Sequence, residues 1–199
     1  MIHVVTGPSG CGKSSLIRLA LASTPGVGFS VSHTTRARRS TETDGREYYF
    51  IGPPEFKKMI RGHAFVEWAV VHGAYYGTSR KELAKGNAGD LILDIDVQGA
   101  RQVRAKVRKA VFTFILPPSY EILRERLLGR GHDDPEAVAG RLETARREAR
   151  ECRRFDHIII NDDLNEAADE LSAIVLCHRT RRAARTEAIR RVLASLRRG

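Results

Sequence analysis

The order of apolar segments in this chain predicts an α/β fold, with a mostly parallel sheet layered between helices. Three observations carry that prediction. Apolar runs of strand length alternate with stretches of helical period along most of the chain. The first run passes through a glycine-rich turn directly into a helical stretch. With 199 residues, 42% hydrophobic and 29% charged, the composition suits one ordinary globular core. Taken in order, strands are expected at 2–6, 29–32, 91–95, 111–116 and 157–161. Helices are expected at 13–22, 98–106, 120–128, 136–154 and from Asn165 onward, with Pro117 and Pro118 marking the break before 120–128. The stretch 36–76 reads differently. Short β-like pieces at 47–51 and 65–71 are separated by Pro53, Pro54 and a brief helical segment, as in an insertion that carries a substrate.

Bulk features narrow the function classes. No run of about 18 apolar residues is present to span a bilayer, and Met1 leads straight into Ile2–Val5 without a basic leader, so no membrane is expected and the cytoplasm is the expected location. Cys11, Cys152 and Cys177 are odd in number and lack the spacing of a zinc site or a disulfide framework, which fits a reducing compartment. The formal charge of +10 points towards nucleic acid until its location is considered. Eight arginines against Glu187 put +7 in residues 178–199, leaving +3 for the rest. Ala184, Ala188, Ile189, Val192 and Leu196 recur there at helical spacing, so an amphipathic helix with a solvated basic face is expected. No aromatic stacking motif supports nucleic-acid binding.

The sharpest local signal is Gly7-Pro8-Ser9-Gly10-Cys11-Gly12-Lys13-Ser14, a G-x-x-x-x-G-K-[ST] motif between an apolar strand and a helix. Glycines let backbone N–H groups turn inward around phosphate oxygens, and the helix N-terminus adds partial positive charge. Lys13 would reach the β- and γ-phosphates, and Ser14 could ligate Mg²⁺. Cys11 reads as a small spacer. Such a loop identifies a nucleoside triphosphate site without saying what accepts the phosphoryl group.

Beyond the loop, the chain resembles the guanylate kinase family over nearly its whole length. The resemblance is carried by Ser30-Val31-Ser32-His33-Thr34-Thr35-Arg36-Ala37-Arg38-Arg39, Phe65-Val66-Glu67-Trp68, Tyr75-Tyr76-Gly77-Thr78, Leu93-Asp94-Ile95-Asp96-Val97-Gln98-Gly99, Gly129-Arg130-Gly131 and Ile160-Asn161-Asp162-Asp163. It implies a P-loop NTPase-type three-layer core at 1–32, 77–129 and 155–177. With the core go a small β-rich GMP-binding insertion at about 33–76, a mobile lid at about 130–154 and a basic C-terminal helix at about 178–199. The implied reaction is Mg²⁺-dependent transfer from ATP to GMP, with dGMP as a further acceptor. The implied ATP site is Gly7 to Ser15 with Asn161 near the adenine. The implied GMP site is Ser32, Arg36, Arg39, Tyr48, Glu67, Tyr76, Thr78 and Asp96, and Lys13 with the lid arginines Arg126, Arg130 and Arg141 would be catalytic. Many members have proline where Arg38 stands, so Arg38 is left out of the site.

These assignments suit the chemistry. Guanine offers its N1–H and N2 amino group as neighbouring donors that one carboxylate can accept together, whereas adenine offers an acceptor at N1. Glu67 has the right shape for that pairing, against its alternative as a solvated charge on an edge strand. Guanidinium forks and tyrosine hydroxyls suit a dianionic phosphate. Asp94 and Asp96 end an apolar run, as where a buried strand delivers carboxylates to a nucleotide edge. Either could face the metal, directly or through water, and Asp94 could instead accept loop N–H groups. The acceptor phosphate ionises a second time at a pKa of about 6, so no general base is needed. His33, His72 and His157 show no metal-like spacing. The resemblance leaves monomer and homo-oligomer both open.

Overall fold

A computed structural model describes residues 1–129 and 135–196. Its core is a five-stranded sheet in the order β2-β7-β1-β8-β9, formed by β1 (Ile2–Thr6), β2 (Val27–Phe29), β7 (Asp90–Asp94), β8 (Ala110–Leu116) and β9 (His157–Ile160), all paired in parallel. Every residue of β1 is buried, as the central strand of a sheet covered on both faces must be. Alternation along the strands sorts side chains between the two faces. Val5, Ile92, Ile115 and Ile159 meet Leu16, Ile17 and Ala20 of α1 (Lys13–Ser23) and Ala167, Ala168 and Leu171 of α7 (Leu164–Thr180). On the other face, Val4, Leu91, Leu93 and Phe112 meet Ala100 and Val103 of α4 (Val97–Lys106). The result is the three-layer α/β architecture expected from the sequence.

A second sheet, in the order β4-β3-β6-β5, is built from β3 (Ser32–Thr34), β4 (Tyr48–Phe50), β5 (Phe65–Val71) and β6 (Ala74–Ser79). Between β4 and β5 lies α2 (Pro53–Arg61), which starts with proline in its first turn, where the missing N–H costs nothing, and buries Phe56 against Phe65 with ring centroids 4.4 Å apart. β5 and β6 form a hairpin closed by His72 and Gly73, both at positive φ, the geometry that matches strand twist. Val66 packs into the core cluster, and Gln102 of α4 brackets Trp68 with hydrogen bonds to its N–H and carbonyl. The second sheet is thereby fastened to the core.

Several elements depart from the sequence expectation. The segment expected as one strand at 29–32 is divided: Val27–Phe29 pairs with β7, whereas Ser32–Thr34 belongs to the second sheet. β6 and the short α3 (Arg80–Ala84) were not foreseen. Gly77 masks the strand, since glycine reads as an interruption, yet a Cβ there would lie 3.0 Å from the Phe65 ring and 3.1 Å from the Glu67 carbonyl. The segment expected as one helix at 136–154 is α6 (Pro135–Ala149) followed by a tighter 3-10 turn, and α5 (Tyr120–Leu128) precedes it. α7 continues to Thr180, with His178 buried and Arg179 bonded to Asp90 at 2.5 Å. α8 (Thr186–Leu196) presents no buried residue, and Val192, Leu193 and Leu196 are all exposed. Among the described residues no helix is long and apolar enough to cross a membrane.

Candidate active site

Parallel pairing sets Val5 beside Asp94, so the loop leaving β1 emerges next to the carboxylate that ends β7. Gly12 caps α1 in the left-handed region, at φ 89°, which only glycine adopts without strain. Lys13 Nζ lies 2.7 Å from Asp94 Oδ1 and donates to the Ile95 carbonyl at 3.3 Å, while Ser14 Oγ donates to Asp94 Oδ2 at 3.3 Å. Burial would push the Lys13 ammonium down, but the Asp94 carboxylate outweighs it and holds the group well above its ordinary value. Lys13 is therefore a fixed cation.

On the second sheet, Glu67 is only 3% exposed and accepts from the Thr78 N–H at 2.7 Å, so it is not a solvated edge charge. Burial pushes its carboxyl up to about 7, with the hydrogen bonds from Thr78 opposing and Asp96 adding to the rise. The Thr78 hydroxyl lies 3.4 Å from Ser32 Oγ. Asp96 caps α4 by accepting from the Gly99 N–H at 2.8 Å and from Gln98 Nε2 at 3.1 Å. Tyr48 and Tyr76 meet edge to face at 5.8 Å, and burial pushes the Tyr48 phenol up to about 12, so it remains a hydrogen-bond donor. Arg36 lies over the Tyr48 ring, 5.5 Å from its centroid, and donates to Tyr76 Oη at 3.3 Å.

These two halves share a cavity of about 460 Å³. Its walls include the loop from Gly7 to Ser15 and, facing it, Ser32, Tyr48, Glu67, Tyr76, Asp94 and Asp96. Arg141 also faces it and donates to Ser9 Oγ at 2.9 Å. Five expected residues stand elsewhere. Thr78 is fully buried behind Glu67, and Arg39 is exposed and meets Glu42 through its backbone N–H at 2.8 Å. Arg36 points its fork at Glu42, with contacts of 2.9 and 2.8 Å. Arg126 and Asn161 lie behind the phosphate loop, both donating to the Cys11 carbonyl. Arg130 lies outside the described residues.

One cleft thus sets the glycine-rich loop opposite a buried carboxylate and a pair of tyrosines. The family model described as guanylate kinase matches residues 2–177. The chain belongs to the guanylate kinase family. It is 49% identical over 183 residues to the guanylate kinase of Symbiobacterium thermophilum, covering 91% of this chain and 87% of the relative. With the guanylate kinase of Geobacter sulfurreducens it shares 41% identity over 196 residues, 98% of this chain and 97% of the relative. The crystal structure of guanylate kinase from Anaplasma phagocytophilum superposes with a TM-score of 0.74 at 33% identity, covering 91% and 87% of the two chains. Guanylate kinases are ATP:GMP phosphotransferases, that is, nucleoside monophosphate kinases.

Three further residues at or beside this cleft escaped the sequence reading. Glu42 organises the arginine loop, accepting from the Arg36 fork and the Arg39 N–H while its carbonyl receives Arg38 at 2.7 Å. The spacing of a lone glutamate after three arginines is its only trace in the sequence. Gly99 faces Glu67: a Cβ there would lie 2.5 Å from Glu67 Oε2. Glu148 of α6 lines the cavity, and burial raises its carboxyl above the ordinary value. It was hidden among the charges of a helix that reads as solvated.

Proposed function

We propose that this chain transfers the γ-phosphoryl group of ATP to GMP, and also to dGMP, in a Mg²⁺-dependent reaction in the cytoplasm. The observation that carries this reading is the single cleft in which the phosphate loop faces Glu67, Tyr48 and Tyr76. The donor's polyphosphate lies along Gly7 to Ser15, and the acceptor phosphate is held by Ser32, Tyr48 and Tyr76, joined by Arg36 and Arg39 once these turn from Glu42 and solvent towards it. Glu67, braced by Thr78 and with Asp96 beside it, accepts the guanine donors. An adenine would leave that buried carboxylate unpaired, a penalty that can reach about 10⁴-fold.

An oxygen of the GMP phosphate attacks the γ-phosphorus as the bond to the β–γ bridging oxygen breaks, and ADP leaves with that electron pair. No proton must be removed from a dianionic acceptor. Lys13, held in place by Asp94, stabilises the charge carried by the moving phosphoryl group. Residues 33–76 carry the acceptor and 130–154 act as the lid, from which Arg130 and Arg141 bring further positive charge; Arg126, at the end of α5, joins them only by leaving the Cys11 and Asn161 carbonyls. The oxygens of Ser14 and Asp94 lie 3.3 Å apart and suit Mg²⁺, a hard cation that takes few protein ligands beside water and phosphate. Bound there, Mg²⁺ would neutralise charge on the donor's β- and γ-oxygens.

ADP release from ATP and Mg²⁺ in a coupled assay tests this, with GMP, dGMP, AMP, CMP, UMP and no acceptor in parallel. Turnover with GMP and dGMP is expected. Silence with every acceptor, despite measurable GMP binding, would overturn it. Lys13→Ala is expected to abolish transfer while GMP binding, followed by calorimetry, persists.

A further inference from the structure

The phosphate loop is held from behind by a side chain that the family resemblance assigns to the adenine. Asn161, just past β9, is 2% exposed, and its Nδ2 donates to the Cys11 carbonyl at 2.7 Å. Arg126 Nη1 reaches the same carbonyl at 3.4 Å, and its Nη2 donates to the Asn161 carbonyl at 3.0 Å. The Asn161 backbone is itself fixed, its N–H donating to the Leu116 carbonyl at 2.8 Å. Gly12, at φ 89°, leaves the space that the amide fills, because a Cβ at that position would collide with Asn161 Nδ2.

The geometry of a trans peptide gives this contact a consequence. The Cys11 carbonyl and the Gly12 N–H belong to one planar unit and point in opposite directions. An amide that draws the carbonyl to the rear therefore turns the Gly12 N–H forward, towards the cavity and a phosphate oxygen. The remaining amide oxygen, Oδ1, is buried without a partner, and Asn161 is not among the residues that line the cleft.

We propose that Asn161 is a positioning residue for the phosphate loop, orienting the Cys11–Gly12 peptide so that it recognises polyphosphate whatever base is attached. The inference rests on the loop holding the donor's phosphates, as proposed above, but does not depend on which nucleotide is the acceptor.

Calorimetry with Mg²⁺ and inorganic tripolyphosphate, which carries no base, separates the two roles when compared with ATP on the wild type and Asn161→Ala. Both ligands are expected to weaken by the same factor, on the order of tenfold for one lost hydrogen bond in this setting. GMP binding should be unchanged, and KM for ATP should rise without a matching rise in KM for GMP. If ATP weakens while tripolyphosphate does not, Asn161 contacts the base and the proposal fails. It fails too if neither ligand is affected, or if the wild type binds no tripolyphosphate. Should Asn161→Ala not fold, Asn161→Ser reads the same comparison. A chain inactive with GMP would still give the tripolyphosphate result, so failure of the kinase reading and failure of this one are distinguishable.

Discussion

At the scale of single residues, the site depends on groups whose protonation is set by burial. Glu67 is the clearest case. Burial pushes its carboxyl up to about 7 from its ordinary 4.5, so the folded protein holds the proton more tightly than the unfolded chain does. The stability this group contributes is therefore full below about 4.5 and is lost as pH rises through about 7. On the proposed reading, guanine donors favour the carboxylate, so binding GMP below pH 7 must release the proton. GMP affinity is expected to fall by up to about tenfold between pH 8 and pH 6, on top of the acceptor phosphate's own ionisation near 6. Glu67→Gln removes the first component and keeps the second. Calorimetric GMP titrations across that range check this, together with a loss of preference for GMP over AMP and unchanged ATP affinity. Equal pH profiles for the two proteins would show that Glu67 does not titrate against the base.

At the scale of elements, two local devices order the side of the cleft that the proposed function assigns to the acceptor. The loop between β3 and β4 carries the cluster Arg36, Arg38 and Arg39, whose mutual repulsion is countered by Glu42, which receives the Arg36 fork and an Arg39 backbone N–H. Without it the guanidinium keeps only the Tyr76 hydroxyl and the Ala37 carbonyl as partners. Glu42→Ala is expected to raise KM for GMP about tenfold with KM for ATP unchanged, as steady-state kinetics would show. The second device is the start of α4. Asp96 satisfies the Gly99 N–H as an N-cap and so keeps Gly99 close beneath Glu67. Asp96→Ala should cost about 1 kcal/mol of stability in urea denaturation, and Asp96→Asn, which retains the cap, distinctly less.

For the whole molecule, the boundary of the working unit lies later than the charge pattern implies. The family match ends at residue 177, yet His178 is buried against the core and Arg179 ties α7 to Asp90, which also holds the N-terminal ammonium at 3.1 Å. α8 beyond it buries nothing. Truncation after Thr180 is expected to leave turnover within about twofold of the full chain, because no residue lining the cavity is removed. Truncation after Cys177 should lower Tm by several degrees by stripping partners from Asp90. Parallel assays and thermal melts on the two truncations distinguish these outcomes.

Much of this was legible in the sequence. Local signals determined the α/β class, four of the five core strands and the glycine-rich loop, because strand alternation, helical period and glycine spacing are written in consecutive residues. Glu67 and the arginine cluster could be singled out by residue type and motif. What only the tertiary structure decided concerns residues far apart in the chain: the division of 27–34 between two sheets, the strand hidden by Gly77, the Glu42 clamp, and the placement of Arg126 and Asn161 behind the loop. A carboxylate or guanidinium on a helix reads the same whether it faces solvent or a carbonyl over a hundred residues away. Only packing brings its partner within hydrogen-bond distance, and that partner sets its charge and direction.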